Sequence, residues 1–188
     1  MRVISGTAGR LKLVAPTGRE TRPTADREKE AMFSILESLG LLHGASVLDI
    51  FAGSGALGIE ALSRGAARVT MIDKSRQAVE SIRKNLETTS FAGNVEIICA
   101  DFTVSLERLR KNGILFDLVI IDPPYTGGMH LKTIEIVSGL LKPGAMLVAE
   151  TSSRSPLPEK AGSLCRSDRR VYGDTAIEFF LAEENHAT

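Results

Sequence analysis

The sequence predicts a doubly wound α/β domain: a mostly parallel, seven-stranded sheet with helices on both faces and an antiparallel hairpin at its end. Three observations predict it. From Ala45 onward, short apolar runs alternate with longer segments of helical period. Those runs, such as Leu118-Val119-Ile120-Ile121, are continuous rather than alternating, as expected of strands covered on both sides. A glycine-rich turn follows the first run and opens the next helix, where such a sheet places its ligand.

The elements follow in chain order. Residues 1–22 hold brief apolar alternations, Val3-Ile4 and Leu11-Lys12-Leu13-Val14, broken by Gly6, Gly9, Pro16 and Gly18. They read as a small hairpin or extended arm outside the core. Arg22 precedes Pro23 and is therefore extended, so Thr24 is the expected cap of a helix. Asp26 and Glu28 suit its first turn, Met32, Phe33, Leu36 and Leu39 form its apolar face, and Gly40 ends it. Strands are expected at 46–50, 68–73, 95–100, 117–122 and 145–150, with helices at 56–64, 75–88, 103–112 and 130–141. Residues 169–172 and 175–181, joined at Gly173-Asp174, form the terminal hairpin. Residues 1–40 thus divide off as a basic arm and helix, and residues 41–188 as the main domain.

Composition narrows the function classes. The chain of 188 residues is long enough for one well-buried domain, and its net charge is zero. Charge is nevertheless uneven. Up to Ala25 there are five cations, Arg2, Arg10, Lys12, Arg19 and Arg22, against Glu20 alone; that net +4 is balanced by −4 over the remainder. A basic arm on a mildly acidic body fits a localised contact with a polyanion. No apolar run approaches the ~20 residues of a membrane helix, and the opening residues lack a signal peptide's apolar stretch, which predicts a cytoplasmic protein. Cys99 and Cys165 lack metal spacing, and His43, His130 and His186 are scattered, so no metal is expected.

The segment from Asp49 through Phe51, Gly53 and Gly55 to Gly58 follows a buried strand and opens a helix. Glycines there let the backbone turn sharply and approach a ligand, and the helix's first N–H groups face it. The pattern satisfies Gly-x-Gly-x-x-Gly, so an NAD-dependent oxidoreductase is one reading. Asp49 argues otherwise: a carboxylate at the strand end opposes a pyrophosphate but suits the cationic amine and sulfonium of S-adenosylmethionine. Asp73 and Asp101 recur at the ends of the next two strands, placed for the ribose hydroxyls and the adenine amine. Each acid alone could simply cap a helix. Phe51 in the loop and Phe102 beside Asp101 complete the candidate cofactor set, Phe102 being able to pack on the adenine or to belong to the core.

A second strand ends in Asp122-Pro123-Pro124-Tyr125 at the same edge. The exocyclic amine of a nucleobase is a weak nucleophile, because its lone pair is delocalised into the ring. Asp122 can accept one N–H and a backbone carbonyl of the Pro-Pro segment the other, which points the lone pair at a methyl donor. The prolines remove competing N–H donors, and Tyr125 offers a ring on which a flipped base stacks. Catalysis of this kind is positioning plus electrostatic pull and needs no metal. Asp-Pro-Pro is also an ordinary way to end a strand; it is the pairing with the glycine loop that selects an amine methyltransferase.

These residues, with Arg2-Val3-Ile4-Ser5-Gly6, Arg10, Arg22-Pro23-Thr24, Glu60-Ala61-Leu62-Ser63-Arg64-Gly65 and Tyr172-Gly173-Asp174-Thr175, resemble the RsmD family of bacterial 16S rRNA guanine-N2 methyltransferases over nearly the whole chain. The resemblance implies the Rossmann-like class I methyltransferase fold. It also implies S-adenosylmethionine at Asp49, Gly53, Gly55, Asp73 and Asp101, with S-adenosylhomocysteine as product. A flipped guanine at Asp122 to Tyr125 and an arm gripping RNA follow from it as well. Arg10, Lys12, Arg22 and Arg27 are the candidates for that grip, through phosphate contacts. The expected partner is 16S rRNA, within a small-subunit particle, for a monomeric enzyme. Asp-Pro-Pro-Tyr alone does not specify guanine, so adenine N6 or a glutamine amide stays open as the acceptor.

Overall fold

The structure, a computed structural model, describes residues 1–16, 23–123 and 129–183. Its elements are α1 (Pro23–Ser38), β1 (Ser46–Ile50), α2 (Ala56–Ser63), β2 (Arg68–Ile72), α3 (Arg76–Thr89) and β3 (Val95–Ile98). The second half adds α4 (Phe102–Lys111), β4 (Phe116–Ile121), α5 (Met129–Val137), β5 (Leu141–Ser152), β6 (Lys160–Ala161), β7 (Leu164–Tyr172) and β8 (Thr175–Ala182). One sheet runs in the order β3-β2-β1-β4-β5-β8-β7-β6. The first five strands are parallel to one another, and the pairs β5–β8, β8–β7 and β7–β6 are antiparallel.

The continuous apolar runs bury both faces, as the sequence predicts. In β1, Val47 joins a core with α1, α2 and α3, while Leu48 and Ile50 join the opposite core with α4 and α5. Successive side chains of β4 divide likewise, Leu118 and Ile120 to one side and Val119 and Ile121 to the other. The β-hairpin completes both cores, with Phe179 on the first face and Phe180 on the second.

Four expectations are corrected. The sheet has eight strands, not seven, because Lys160–Ala161 turns through Gly162 at φ 63° to pair with Leu164 and Cys165. A two-residue strand is too short to leave a period in the sequence. Strand β5 starts at Leu141, which pairs with Phe116 across an irregularity that absorbs Pro143 and Gly144. Helix α1 starts at Pro23, so Thr24 lies inside the first turn; proline's fixed φ suits that first position. The fourth correction concerns the amino-terminal segment. Arg2 and Lys12 do pair as an antiparallel bridge, but Val3, Ala8 and Leu13 are buried in the same core as α1 and α2.

That segment docks because its backbone finds partners on α2. The Glu60 carboxylate, fully buried, accepts from the N–H of Ile4 (2.7 Å) and Ser5 (3.0 Å). It also accepts from Arg64 Nε at 2.9 Å and pairs with Lys29 Nζ of α1 at 3.3 Å. Lys29 in turn donates to the Arg2 carbonyl at 2.6 Å. Burial holds the Lys29 ammonium below its ordinary pKa, with Glu60 opposing that shift. One turn on, Ser63 Oγ accepts from Ala8 N–H at 3.0 Å and the Ser63 carbonyl from Thr7 N–H at 2.8 Å. The approach is so close that a Cβ on Gly6 (φ 78°) would stand 1.8 Å from the Ser63 carbonyl oxygen.

Removing the Glu60 charge leaves two buried cations and two backbone donors short of an acceptor. Glu60→Gln is expected to lower the unfolding free energy by ~3 kcal/mol or more, read by urea denaturation. A variant as stable as the parent would show that the amino-terminal segment docks by other means.

Candidate active site

The strand order reverses direction between β1 and β4: β2 and β3 lie on one side of β1, β4 and β5 on the other. A doubly wound sheet opens a crevice at such a switch point, at the carboxyl ends of its strands. Ile50 is in register with Ile121, and Ile121 with Ala149. The loop after β1, Asp122 after β4 and Glu150 near the end of β5 therefore share one edge.

The β1 loop is held in an unusual conformation. Phe51 has φ 68°, a left-handed backbone that a phenylalanine adopts only when its surroundings impose it. The imposing contacts are Ala52 N–H to the Ile72 carbonyl (3.0 Å), Gly53 N–H to Asp73 Oδ2 (2.8 Å) and Gly55 N–H to the Ala52 carbonyl (2.7 Å). Gly58 must be glycine for a different reason. A Cβ there would meet Met71 Cε at 2.5 Å and Val69 Cγ1 at 2.9 Å, so the helix lies directly against β2.

Two adjoining cavities open on this edge, sharing Phe51, Gly53 and Pro16 in their walls. The first, about 290 Å³, is bounded by Asp73, Asp101 and Phe102. The second, about 160 Å³, is bounded by Asp122 and Glu150 from the sheet edge and by Asp26, Glu28 and Lys29 from α1. The ring centroids of Phe51 and Phe102 stand 5.0 Å apart at 53°. Lys132 of α5 places its Nζ 5.8 Å from the Phe102 ring.

The three strand-end acids occupy different environments. Asp73 is half-buried, and each of its oxygens accepts one backbone N–H, Gly53 at Oδ2 and Ser75 at Oδ1, both at 2.8 Å. Asp101 is exposed and caps α4, accepting from the Thr103 side chain and N–H. Those two bonds hold its carboxyl below the ordinary range. Asp49 is buried under the loop, bonded through Oδ2 to Gly58 N–H at 2.9 Å, and bounds neither cavity. Burial pushes its carboxyl up to about 7; the Gly58 N–H opposes this and the Asp73 charge adds to it.

The structure thus brings Phe51, Gly53, Asp73, Asp101, Phe102 and Asp122 to one pair of cavities, whereas Asp49 and Gly55 line neither. Pro123 is buried beside Asp122. Pro124, Tyr125 and Arg22 lie outside the described residues. Arg10, Lys12 and Arg27 are exposed. Among the described residues, no His, Cys, Asp and Glu cluster is arranged to hold a metal ion, and no helix is long and apolar enough to cross a membrane.

Sequence reasoning missed the walls contributed by Pro16 and α1 and the role of Asn85, which is fully buried in α3. Pro16, Glu28 and Lys29 carried no local signal. Asn85 did: it stands among Ile82, Leu86 and Thr89 on the buried face of an amphipathic helix, where a polar side chain needs partners.

Residues 1–181 match the sequence model of the family described as conserved hypothetical protein 95. The chain is 33% identical over 185 residues to ribosomal RNA small subunit methyltransferase D of Escherichia coli (strain K12), covering 97% of this chain and 90% of that one. The Haemophilus influenzae protein of the same name is 33% identical over 159 residues, 84% of this chain and 81% of that one. Among solved structures, the yhhF protein of Escherichia coli superposes with a TM-score of 0.82 at 32% identity, covering 98% of this chain and 99% of that one.

The raised Asp49 pKa has a consequence for stability. Between the ordinary value of 3.8 and about 7 the folded state holds a proton that the unfolded state has released, so stability falls as pH rises through that window. Asp49→Asn is expected to gain stability relative to the parent as pH goes from ~4 to ~7 and to change little above. Parallel pH dependence of the two proteins in denaturant titrations would contradict this.

Proposed function

Because the chain belongs to the RsmD family, we propose that it is an S-adenosylmethionine-dependent methyltransferase that modifies the N2 amine of a guanine in 16S rRNA. The observation that supports this reading most directly is the placement of the strained glycine loop and Asp122 on adjoining strands at the switch point, bounding two joined cavities. The larger cavity suits an adenosine, the smaller an acceptor amine brought up to Asp122.

The residues fit the cofactor on grounds of chemistry. Each Asp73 oxygen keeps a lone pair beyond its backbone bond, so the carboxylate can accept from vicinal ribose hydroxyls. Asp101 is ionised and exposed beside Phe102, able to accept from the adenine amine while the ring packs on the aromatic. Gly53 puts no side chain where the ligand approaches, and Gly55 lets the loop lie close on Met71 and Ile82. Asp49 acts from beneath the loop, its charge favouring a cationic amine above it. S-adenosylmethionine, when bound, supplies an electrophilic methyl on a sulfonium.

What remains for the protein is to orient a poor nucleophile. Asp122 accepts one hydrogen of the guanine amine and a carbonyl of the Pro123-Pro124 segment the other, leaving the lone pair toward the methyl. Tyr125 supplies the ring on which the flipped base stacks. As positive charge develops on the amine, Asp122 stabilises it more than it does the ground state, and this differential lowers the barrier. Residues 1–40 contact the RNA through Arg10, Lys12, Arg22 and Arg27, while residues 41–188 carry the cofactor in a cavity that Pro16 helps to wall. The enzyme works as a cytoplasmic monomer on rRNA within a small-subunit particle.

Methyl transfer from labelled S-adenosylmethionine to unmethylated small-subunit particles and naked 16S rRNA, with nucleoside mass spectrometry, tests the reading. Label in N2-methylguanosine is expected; label in N6-methyladenosine would keep the chemistry and overturn the acceptor. Asp122→Ala should retain cofactor affinity and lose ~100-fold or more in kcat. For Asp49, a cationic amine and sulfonium above the loop favour the ionised carboxylate, so S-adenosylmethionine should release protons on binding near pH 7. Calorimetry in buffers of different ionisation enthalpy reads this, and Asp49→Asn should abolish the release.

A further inference from the structure

The amino-terminal segment is pinned at two places, and the second pin touches the cofactor loop. Asn85 Oδ1 accepts from Val14 N–H at 2.8 Å, and its Nδ2 donates both to the Val14 carbonyl and to the Ser54 carbonyl, each at 2.9 Å. Its side chain thus satisfies both backbone groups of Val14 and one of the residue that follows Gly53. Ser54 Oγ further donates to Met1 Sδ at 3.0 Å, a second link between the loop and the segment. The first pin, Glu60 with Ser63, holds Ile4 to Ala8. Between the pins stand the exposed cations Arg10 and Lys12, and just past the second comes Pro16, a wall of both cavities.

We propose that Asn85 is a positioning residue that couples the two ligands: occupancy of the cofactor cavity strengthens RNA binding by the amino-terminal segment. This rests on the methyltransferase reading above. A ligand packed against Pro16 and the glycine loop restrains residues 14–16 from one side while Asn85 holds them from the other. RNA that then engages Lys12, two residues from the pin, meets a segment whose ordering has already been achieved. Because coupling between two binding equilibria is reciprocal, RNA must tighten cofactor binding by the same factor. Asn85 touches neither ligand in this scheme. It acts through Val14 and Ser54, so its loss should raise the KM for RNA more than it lowers kcat at saturating substrates.

The test measures the Kd of unmethylated 16S rRNA with and without saturating S-adenosylhomocysteine, and the Kd of S-adenosylhomocysteine with and without RNA. The wild type is expected to show the same factor in both directions, ~5-fold or more. Asn85→Ala should bring that factor close to one. That substitution leaves the Val14 and Ser54 backbone groups unpaired and can unfold the protein, so Pro16→Gly, which removes the shared wall without touching those bonds, is measured beside it and should also lower the factor. A wild-type factor of one, or a factor retained in the folded variants, overturns the coupling. Absence of any S-adenosylhomocysteine binding overturns the methyltransferase reading together with it, whereas binding and methyl transfer without coupling overturn this inference alone.

Discussion

One buried carboxylate organises the amino-terminal half of the molecule. Glu60 has no contact with solvent, and its oxygens receive two backbone N–H groups of the first residues, the guanidinium of Arg64 and the ammonium of Lys29. A buried charge is tolerable only when its lone pairs are filled in this way. Filling them brings the opening segment, α1 and α2 to one point. Everything those elements contribute to the site follows, because Lys29 and its neighbour Glu28 line the smaller cavity and Pro16 lines both.

The site itself shows how position in a fold differentiates chemically equal groups. Asp49, Asp73 and Asp101 each stand near the end of a parallel strand, yet their surroundings differ. Asp49 lies under a loop with one N–H for company and is pushed up to about 7. Asp101 stands in solvent and receives two hydrogen bonds from Thr103, so it stays ionised well into acid. Asp73 spends its bonds on shaping the glycine loop. The same residue type therefore stands once as a buried group, once as a loop former and once as an exposed helix cap.

Much of this was legible in the sequence because it is encoded locally. Continuous apolar runs mark strands buried on both faces, and β1, β2 and β4 fall within a residue of their expected bounds. The glycine loop and Asp122-Pro123 announce themselves by composition next to such a run. Illegible were features whose signal is too short or has another owner. Lys160–Ala161 is two residues long, Pro143-Gly144 reads as a break although the strand carries on through it, and the basic charge of the opening segment obscured its buried Val3, Ala8 and Leu13.

By itself the sequence determined the alternation of elements and which strand ends bear acids, since period, turn residues and side-chain type are properties of neighbours along the chain. Only the tertiary structure decided which groups meet. Glu60 finds Ile4 across 56 residues and Asn85 finds Val14 across 71, pairings that no local pattern encodes because each is selected by a fully buried polar side chain that needs partners. The same holds for Pro16. It is an ordinary turn residue in the sequence, and it becomes a wall of two cavities once Asn85 fixes the chain beside the glycine loop.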